Sequence, residues 1–152
     1  PHIHLLFSKQ FELKMDYQRV EVECETLLNS LDEFKSQKYS GLNVTLPLKY
    51  DAHLLCHKLS EKSKLCESVN TISIRNNLFH GDTTDGIGLI RDLINKGINL
   101  KQAKILLVGA GGAANGVMAD LIECSPSTLY LTNRTIEKSI LMESYWKNYA
   151  KK

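Results

Sequence analysis

The sequence has few cysteines and no long apolar run. Its four cysteines, Cys24, Cys56, Cys66 and Cys124, lie far apart and form no C-x-x-C pair. This pattern favours reduced thiols in a cytosolic protein over a disulfide framework. No apolar stretch approaches the length of a membrane span, and no signal peptide precedes the first residues. We therefore expect a cytoplasmic protein without a membrane partner.

An excess of basic residues is also missing. The 152 residues include 19 Lys and Arg against 17 Asp and Glu, so the formal net charge is only +2, and the lysines are scattered. We expect no nucleic-acid partner. The length suits one ordinary core or parts of two domains. The sequence leaves open whether the protein is a monomer or a homodimer.

A metal-binding motif is absent as well. His53 and His57 have the i, i+4 spacing of metal ligands on a helix, with Cys56 nearby. However, no H-E-x-x-H pattern accompanies them, and isolated spacings of this kind are mostly false positives. We predict no metal site.

The most informative stretch that is present lies between residues 104 and 135. The apolar run at 105–108 predicts a strand buried on both faces, and G-A-G-G-A-A follows it directly. Gly109, Gly111 and Ala114 fill the G-x-G-x-x-G/A pattern of a dinucleotide site. A helix beginning near Ala113 would point its free N–H groups at a pyrophosphate. A second strand at 128–132 completes a β-α-β unit, which favours a nucleotide site over a glycine turn without a ligand.

The residues after the second strand select the cofactor. An NAD site has Asp or Glu there to bind the ribose 2′-hydroxyl, whereas an arginine accommodates the 2′-phosphate of NADP. This chain has Asn133, Arg134 and Thr135, with no carboxylate before Glu137. We predict NADP. A helix N-cap at Thr135 beside a solvated Arg134 is an alternative that is compatible with this prediction.

The first half of the chain predicts an α/β layer. Apolar periodicity indicates helices at 3–11 and 26–39, and alternation at 17–23 indicates a strand between them. Another strand at 42–46 ends at Pro47, so Thr45 and Lys49 fall near its carboxyl end. Ligands bind beyond the carboxyl ends of strands in open α/β sheets. A surface lysine after a turn remains the commoner interpretation.

The middle of the chain predicts a short helix, a hairpin and a bridging helix. Ser60 caps the short helix, and strands at 68–74 and 78–80 flank an Asn-Asn turn. Asn70 lies inside an apolar strand and therefore needs a hydrogen-bond partner, from the protein or from a ligand. Asp85 precedes a helix that Gly97 ends, where an N-cap is the ordinary role of an aspartate. We place the domain boundary at this helix, giving domains 1–85 and 86–152.

Five motifs together resemble the shikimate dehydrogenase family. They are N-V-T-L-P-L-K at 43–49, S-V-N-T at 68–71, G-D-T-T-D-G-I-G at 81–88, G-A-G-G-A-A at 109–114 and T-N-R-T at 132–135. The resemblance implies an α/β fold in which an N-terminal substrate domain precedes the first half of a Rossmann-type NADP-binding domain. It also implies the reversible NADPH-dependent reduction of 3-dehydroshikimate to shikimate, in aromatic amino acid biosynthesis. A quinate-using relative and a noncatalytic NADP-binding module are the alternatives.

The resemblance further implies roles for single residues. Lys49 and Asp85 would form the catalytic pair, and Thr45 and Asn70 would help to hold the substrate. The implied cofactor residues are Gly109, Ala110, Gly111, Gly112 and Ala113 at the pyrophosphate, Asn133, Arg134, Thr135 and Lys138 at the 2′-phosphate end, and Glu61.

The chain departs from the family pattern in three places. Thr83 stands where the family usually has Asn. The family's Ser-x-Ser-Pro is present only from Pro1, and the second half of the cofactor domain and the C-terminal helices are not in the sequence. We therefore expect a fragment that lacks both ends and is inactive as a dehydrogenase by itself.

Overall fold

A computed structural model describes residues 1–150 as an α/β protein with two separate sheets, which confirms the predicted fold class. Its helices are α1 (His2–Gln10), α2 (Leu27–Ser36), α3 (Lys49–Leu55), α4 (Glu61–Cys66), α5 (Asp85–Asn95), α6 (Gly112–Glu123) and α7 (Ile136–Lys147), with a 3-10 turn at Cys24–Thr26. Its strands are β1 (Gly41–Asn43), β2 (Lys58–Leu59), β3 (Thr71–Arg75), β4 (Leu78–Asp82), β5 (Lys104–Val108) and β6 (Thr128–Thr132). Within these residues, no helix has the length and apolar character needed to cross a membrane.

The first sheet has four strands in the order β1-β3-β4-β2. β1 and β4 both run antiparallel to β3, and β2 runs parallel to β4. Asn76 and Asn77 connect β3 to β4 with φ angles of 50° and 60°. Asparagine tolerates this left-handed conformation, which a two-residue hairpin turn requires, so the predicted hairpin is confirmed. Buried Leu31, Ile72 and Phe79 belong to the core between this sheet and its helices.

The second sheet is the parallel pair β5 and β6, joined through α6. Ile105, Leu107 and Leu129 pack toward buried residues of α5 and α6. The opposite face is open, since Leu106 is 64% exposed and Val108 is 75% exposed. The prediction of a strand buried on both faces is therefore wrong for the described residues, because the helices among them cover only one side.

Two predicted strands differ in the structure. Residues 17–23 form no regular strand; a cleft of about 930 Å³ is lined by residues 13–18 together with β1, whose outer edge has no partner strand among the described residues. The strand predicted at 42–46 ends at Asn43, where its ladder with β3 ends at the pair Asn43 and Thr71. Consequently Lys49 is the first residue of α3 and does not follow a strand directly.

Helix α6 connects the two sheets, because α4 and α5 both pack against it. Gly86 permits the close crossing of α5 and α6. A Cβ at Gly86 would overlap the Asp120 carboxylate, and Gly116 faces Asp85, whose Oδ2 lies 3.5 Å from the position that a Cβ would take. The crossing therefore holds Asp85 beside the helix that follows the glycine loop.

Candidate active site

The site is centred on an ion pair between two helix starts. Lys49 begins α3 and Asp85 begins α5, directly after the N-cap Thr84. The Nζ of Lys49 lies 2.5 Å from Oδ2 of Asp85, although the two residues are 36 positions apart in sequence. Their side chains are only 13% and 27% exposed. Partial burial strengthens such a pair relative to one in open solvent, and the structure brings the two predicted residues together.

Asn70 fixes the other oxygen of the Asp85 carboxylate. Its Nδ2 donates to Oδ1 of Asp85 at 2.8 Å and to Oγ1 of Thr84 at 3.0 Å. Its Oδ1 accepts from the backbone N–H of Thr84 at 3.1 Å. The requirement that this buried amide have partners is confirmed, and those partners belong to the protein. Because each oxygen of Asp85 has its own donor, the carboxylate is held in one orientation.

The loop before Asp85 is held mainly through its backbone and its neighbours. Thr83 is buried, and its N–H donates to Oδ1 of Asp82 at 2.8 Å. Within the described residues the Thr83 hydroxyl has no hydrogen-bond partner. Ser60 also donates to Oδ1 of Asp82, at 2.6 Å. Thr83 therefore contributes its backbone, and Asn70 supplies the side-chain support for Thr84 and Asp85.

The glycine loop joins β5 to α6. Gly109 has a φ of +121°, which favours glycine, and its N–H donates to the carbonyl of Thr132 at 2.7 Å. Asn133 connects this loop to the end of β6, because its Oδ1 accepts from the N–H of Ala110 and its Nδ2 donates to the carbonyl of Thr135. Among residues 1–150, no side chain caps the start of α6 at Gly112. Its first-turn N–H groups are consequently available to an anion.

A cleft of about 550 Å³ is lined by Lys49 on one side and by the glycine loop on the other. This volume falls within the usual range of small-molecule sites, and Lys49 itself lines the cleft. The other lining residues come from the α3 region, the turn after α4, the start of α6 and α7: Leu46, Pro47, Tyr50, Glu67, Ser68, Ala110, Gly111, Gly112, Asn115, Lys138, Leu141, Met142 and Tyr145. The roomier cleft along β1 contains neither Lys49 nor Asp85.

Some predicted site residues lie outside this cleft. Thr45 is exposed on the loop after β1. Glu61 is exposed at the start of α4 and pairs with Lys64 at 2.6 Å. Arg134 and Thr135 are exposed after β6, next to Asn133. Neither Thr45 nor Glu61 is brought together with the Lys49 and Asp85 pair.

The two histidines with i, i+4 spacing, His53 and His57, do not share a helix. His57 lies beyond the end of α3, and its Nδ1 accepts from the N–H of Phe79 at 3.1 Å. Across residues 1–150 no group of three or more His, Cys, Asp or Glu side chains could hold a metal ion.

Sequence reasoning missed Ser68 and Asn115 as lining residues. Asn115 donates to the carbonyl of Cys66 at 2.5 Å and accepts from the indole N–H of Trp146 at 2.7 Å. These partners lie 49 and 31 positions away, so no local pattern indicates them. The buried Trp146 thereby attaches α7 to the side of the cleft.

Comparison with known proteins identifies similar sequences. The family described as the shikimate dehydrogenase substrate binding domain matches residues 1–72. The shikimate dehydrogenase (NADP(+)) of Methylobacillus flagellatus is 37% identical over 143 residues, which are 93% of this chain and 53% of that protein. The enzyme of the same name from Cupriavidus necator is 40% identical over 140 residues, covering 91% of this chain and 48% of the relative. The chain thus spans about half the length of these relatives.

Solved structures agree with the sequence comparison. A shikimate dehydrogenase in complex with NADP+ superposes with a TM-score of 0.93 at 30% identity, covering 100% of this chain and 52% of the other. Shikimate 5-dehydrogenase from Thermus thermophilus, in complex with NADP(H) and shikimate, has a TM-score of 0.90 at 27% identity and covers 97% of this chain and 55% of the other. The sequence motifs, the fold and both comparisons agree. Residues 1–72 match the shikimate dehydrogenase substrate binding domain, and the chain as a whole is similar to shikimate dehydrogenases over about half of their length.

Proposed function

We propose that the natural protein containing this chain is an NADP-dependent shikimate dehydrogenase, which interconverts shikimate and 3-dehydroshikimate in aromatic biosynthesis. One observation carries the proposal: Lys49, which is paired with Asp85, lines the same cleft as Gly111 and Gly112 at the uncapped start of α6. The names of the relatives supply the substrate and the cofactor.

Lys49 is the proposed acid and electrostatic stabiliser. NADPH, when bound, supplies a hydride to the ketone carbon of the substrate. As negative charge grows on the ketone oxygen, the ammonium of Lys49 stabilises it and donates the proton. In the reverse direction, neutral Lys49 accepts the proton of the hydroxyl group.

Asp85 is the proposed partner of both Lys49 and the substrate. Its Oδ2 orients the ammonium at 2.5 Å, while Asn70 restrains Oδ1 at 2.8 Å. A carboxylate held in this way can also accept a hydrogen bond from a neighbouring hydroxyl of the ring. Asn70 and Thr45 are the further proposed substrate contacts.

The residues of the second sheet fit a dinucleotide with a 2′-phosphate. The free N–H groups from Gly111 to Ala113 suit a pyrophosphate, because nothing among the described side chains caps them. Arg134 is exposed after β6 and Lys138 lines the cleft, and we propose that these two cations bind the 2′-phosphate. We propose domains 1–85 and 86–152 for substrate and cofactor, respectively. All four cysteines are free thiols, which supports a cytoplasmic location.

The direct test is a steady-state assay of the full natural protein with purified substrates. Reduction of the nicotinamide is followed by absorbance, with shikimate or quinate as the substrate and NADP or NAD as the cofactor. We expect the highest kcat/KM for shikimate with NADP. Turnover of neither substrate would refute the dehydrogenase, a higher kcat/KM for quinate would change the substrate, and preference for NAD would refute the assignment of Arg134.

A further inference from the structure

A second cluster of charges lies where α4 packs against α6, outside the cleft described above. The ammonium of Lys62 in α4 donates to Oδ1 of Asp120 and, at 3.0 Å, to Oε2 of Glu123, both in α6. Tyr149 donates its hydroxyl hydrogen to the other oxygen of Glu123 at 3.1 Å. The cluster therefore joins the helix before β3 to the helix after the glycine loop.

This contact differs from a surface ion pair because the Asp120 side chain is buried. It is only 5% exposed, whereas Lys62 is 35% exposed. A buried carboxylate without a partner is strongly unfavourable, since its lost hydration is not replaced. Burial works against the charged form of Lys62, but its hydrogen bonds to Asp120 and Glu123 outweigh that effect and raise its pKa. Lys62 is thus the cation that balances the buried carboxylate.

The same carboxylate also touches the helix of Asp85. Gly86, the residue directly after Asp85, approaches Asp120 so closely that a Cβ would overlap the carboxylate. One helical turn earlier on α6, Gly116 faces Asp85 itself. Asp120 therefore contacts α4 through charge and α5 through close packing, and the second contact lies one residue from the proposed catalytic carboxylate.

We propose that the Lys62 and Asp120 pair is a positioning element, which fixes α6 and the glycine loop relative to the Lys49 and Asp85 pair. This inference rests on the proposed function. Hydride transfer requires the donor and acceptor to be aligned, and a displacement of about 1 Å can cost on the order of 100-fold in rate. Loss of Lys62 is expected to change this alignment, because the Asp120 carboxylate without its cation lowers its free energy by moving toward water.

The test compares lysine variants in the full natural protein. Lys62→Met is expected to lower kcat by about 10- to 100-fold, while Lys62→Arg, which keeps a cation at this position, retains most of the activity. Lys96→Met is the matched control, because it removes a lysine from an exposed pair with Asp92 on α5. Its kcat should stay within about twofold of the wild type, as expected for a surface pair.

Several outcomes would overturn the inference. If Lys62→Met is folded, is easier to unfold, but keeps the wild-type kcat, the pair is only structural. Should Lys62→Met fail to fold, Lys62→Gln replaces it, since glutamine stays polar but also leaves the Asp120 carboxylate without its cation, and an unchanged kcat would again overturn the inference.

A wild-type protein without dehydrogenase activity would refute the proposed function. The positioning role of the Lys62 and Asp120 pair would then be tested by a second measurement. Amide hydrogen exchange in the first turns of α5 and α6 should be faster in Lys62→Met or Lys62→Gln than in Lys96→Met. Equal exchange would overturn the inference without reference to activity.

Discussion

At the scale of single residues, each oxygen of Asp85 has its own donor. Lys49 donates to one oxygen and Asn70 to the other, so changes at either neighbour alter the orientation of the carboxylate. The ammonium of Lys49 remains the only proposed proton donor, and its contribution should grow as charge develops on the substrate oxygen.

Lys49→Ala should therefore lower kcat much more than it raises KM. A positioned general acid contributes about 10²- to 10⁴-fold in rate, and the expected loss in kcat lies in that range. Steady-state kinetics of the full natural protein measure both constants. An effect confined to KM would mean that Lys49 contacts the substrate but is not the general acid.

Arg134→Asp should weaken NADP binding and affect NAD much less. The variant removes a charge-assisted contact to the 2′-phosphate and adds repulsion, whereas NAD has no phosphate at this position. Equilibrium titration of both cofactors measures the difference. Arg19→Asp, an exposed arginine in the segment before α2, controls for the change in net charge. Equal weakening of both cofactors by Arg134→Asp would make Arg134 a structural residue.

At the scale of elements, the crossing of α5 and α6 depends on which glycine faces the partner helix. Gly86 faces the Asp120 carboxylate, while Gly88, one half-turn away on α5, has nothing within 4 Å of its missing Cβ. Gly86 and Gly88 therefore differ in the atoms that an added methyl group would contact.

Gly86→Ala should destabilise the protein by about 1 to 3 kcal/mol, because the methyl group overpacks the helix crossing. Gly88→Ala should instead stabilise it by about 0.5 to 1 kcal/mol, since alanine loses less backbone entropy in a helix. Urea unfolding of the two variants gives both free energies. The explanation fails if both substitutions change the free energy of unfolding in the same direction.

The contact between α4 and α6 should make stability depend on pH. The hydrogen bond from Lys62 lowers the pKa of Glu123 below its ordinary value of 4.5. A carboxyl group with a depressed folded-state pKa stabilises the fold above its unfolded-state pKa, and this stabilisation is lost as the pH falls through the folded-state pKa.

Glu123→Gln should thus be less stable than the wild type at neutral pH, and the difference should shrink as the pH falls below about 4.5. Urea unfolding across this range measures the difference. Glu143→Gln, which removes an exposed carboxylate 3.7 Å from Lys147, corrects for the loss of one charge. A difference between Glu123→Gln and the wild type that stays constant with pH would contradict the explanation.

Local patterns predict elements whose neighbours are close in sequence. The β-α-β unit follows from an apolar run, glycines and a second apolar run, and the hairpin at Asn76 and Asn77 follows from its turn residues. Residues 17–23 alternate like a strand but pair with no strand in the described part of the chain, and periodicity contains no information about the pairing partner. The exposure of one face of β5 was missed for a similar reason, because burial of a strand face depends on which other elements pack against it.

The site was predictable to the extent that its residues carry motifs. Lys49, Asn70 and Asp85 lie within recognisable stretches, and the burial of Asn70 in an apolar run indicated a need for partners. The Lys62 and Asp120 pair spans 58 positions and belongs to no motif. Only the packing of α4 on α6 reveals that the two side chains meet.

At the scale of the whole molecule, the two sheets supply different parts of the proposed reaction. Lys49 and Asn70 lie in the segments between strands of the first sheet, the glycine loop follows β5 of the second, and Asp85 begins α5, which lies between β4 and β5 in the chain. The central claim is that the cleft lined by Lys49 and the glycine loop positions shikimate for direct transfer of a hydride to NADP.

Transfer of an isotope label tests this claim most directly. The full natural protein is incubated with NADP and shikimate deuterated at carbon 3, and the reduced cofactor is examined by mass spectrometry. The proposed function predicts one deuterium on each NADPH formed, and no label transfer above background in Lys49→Ala during the same short incubation. Unlabelled NADPH, or a wild-type protein that forms no NADPH from shikimate, would contradict it.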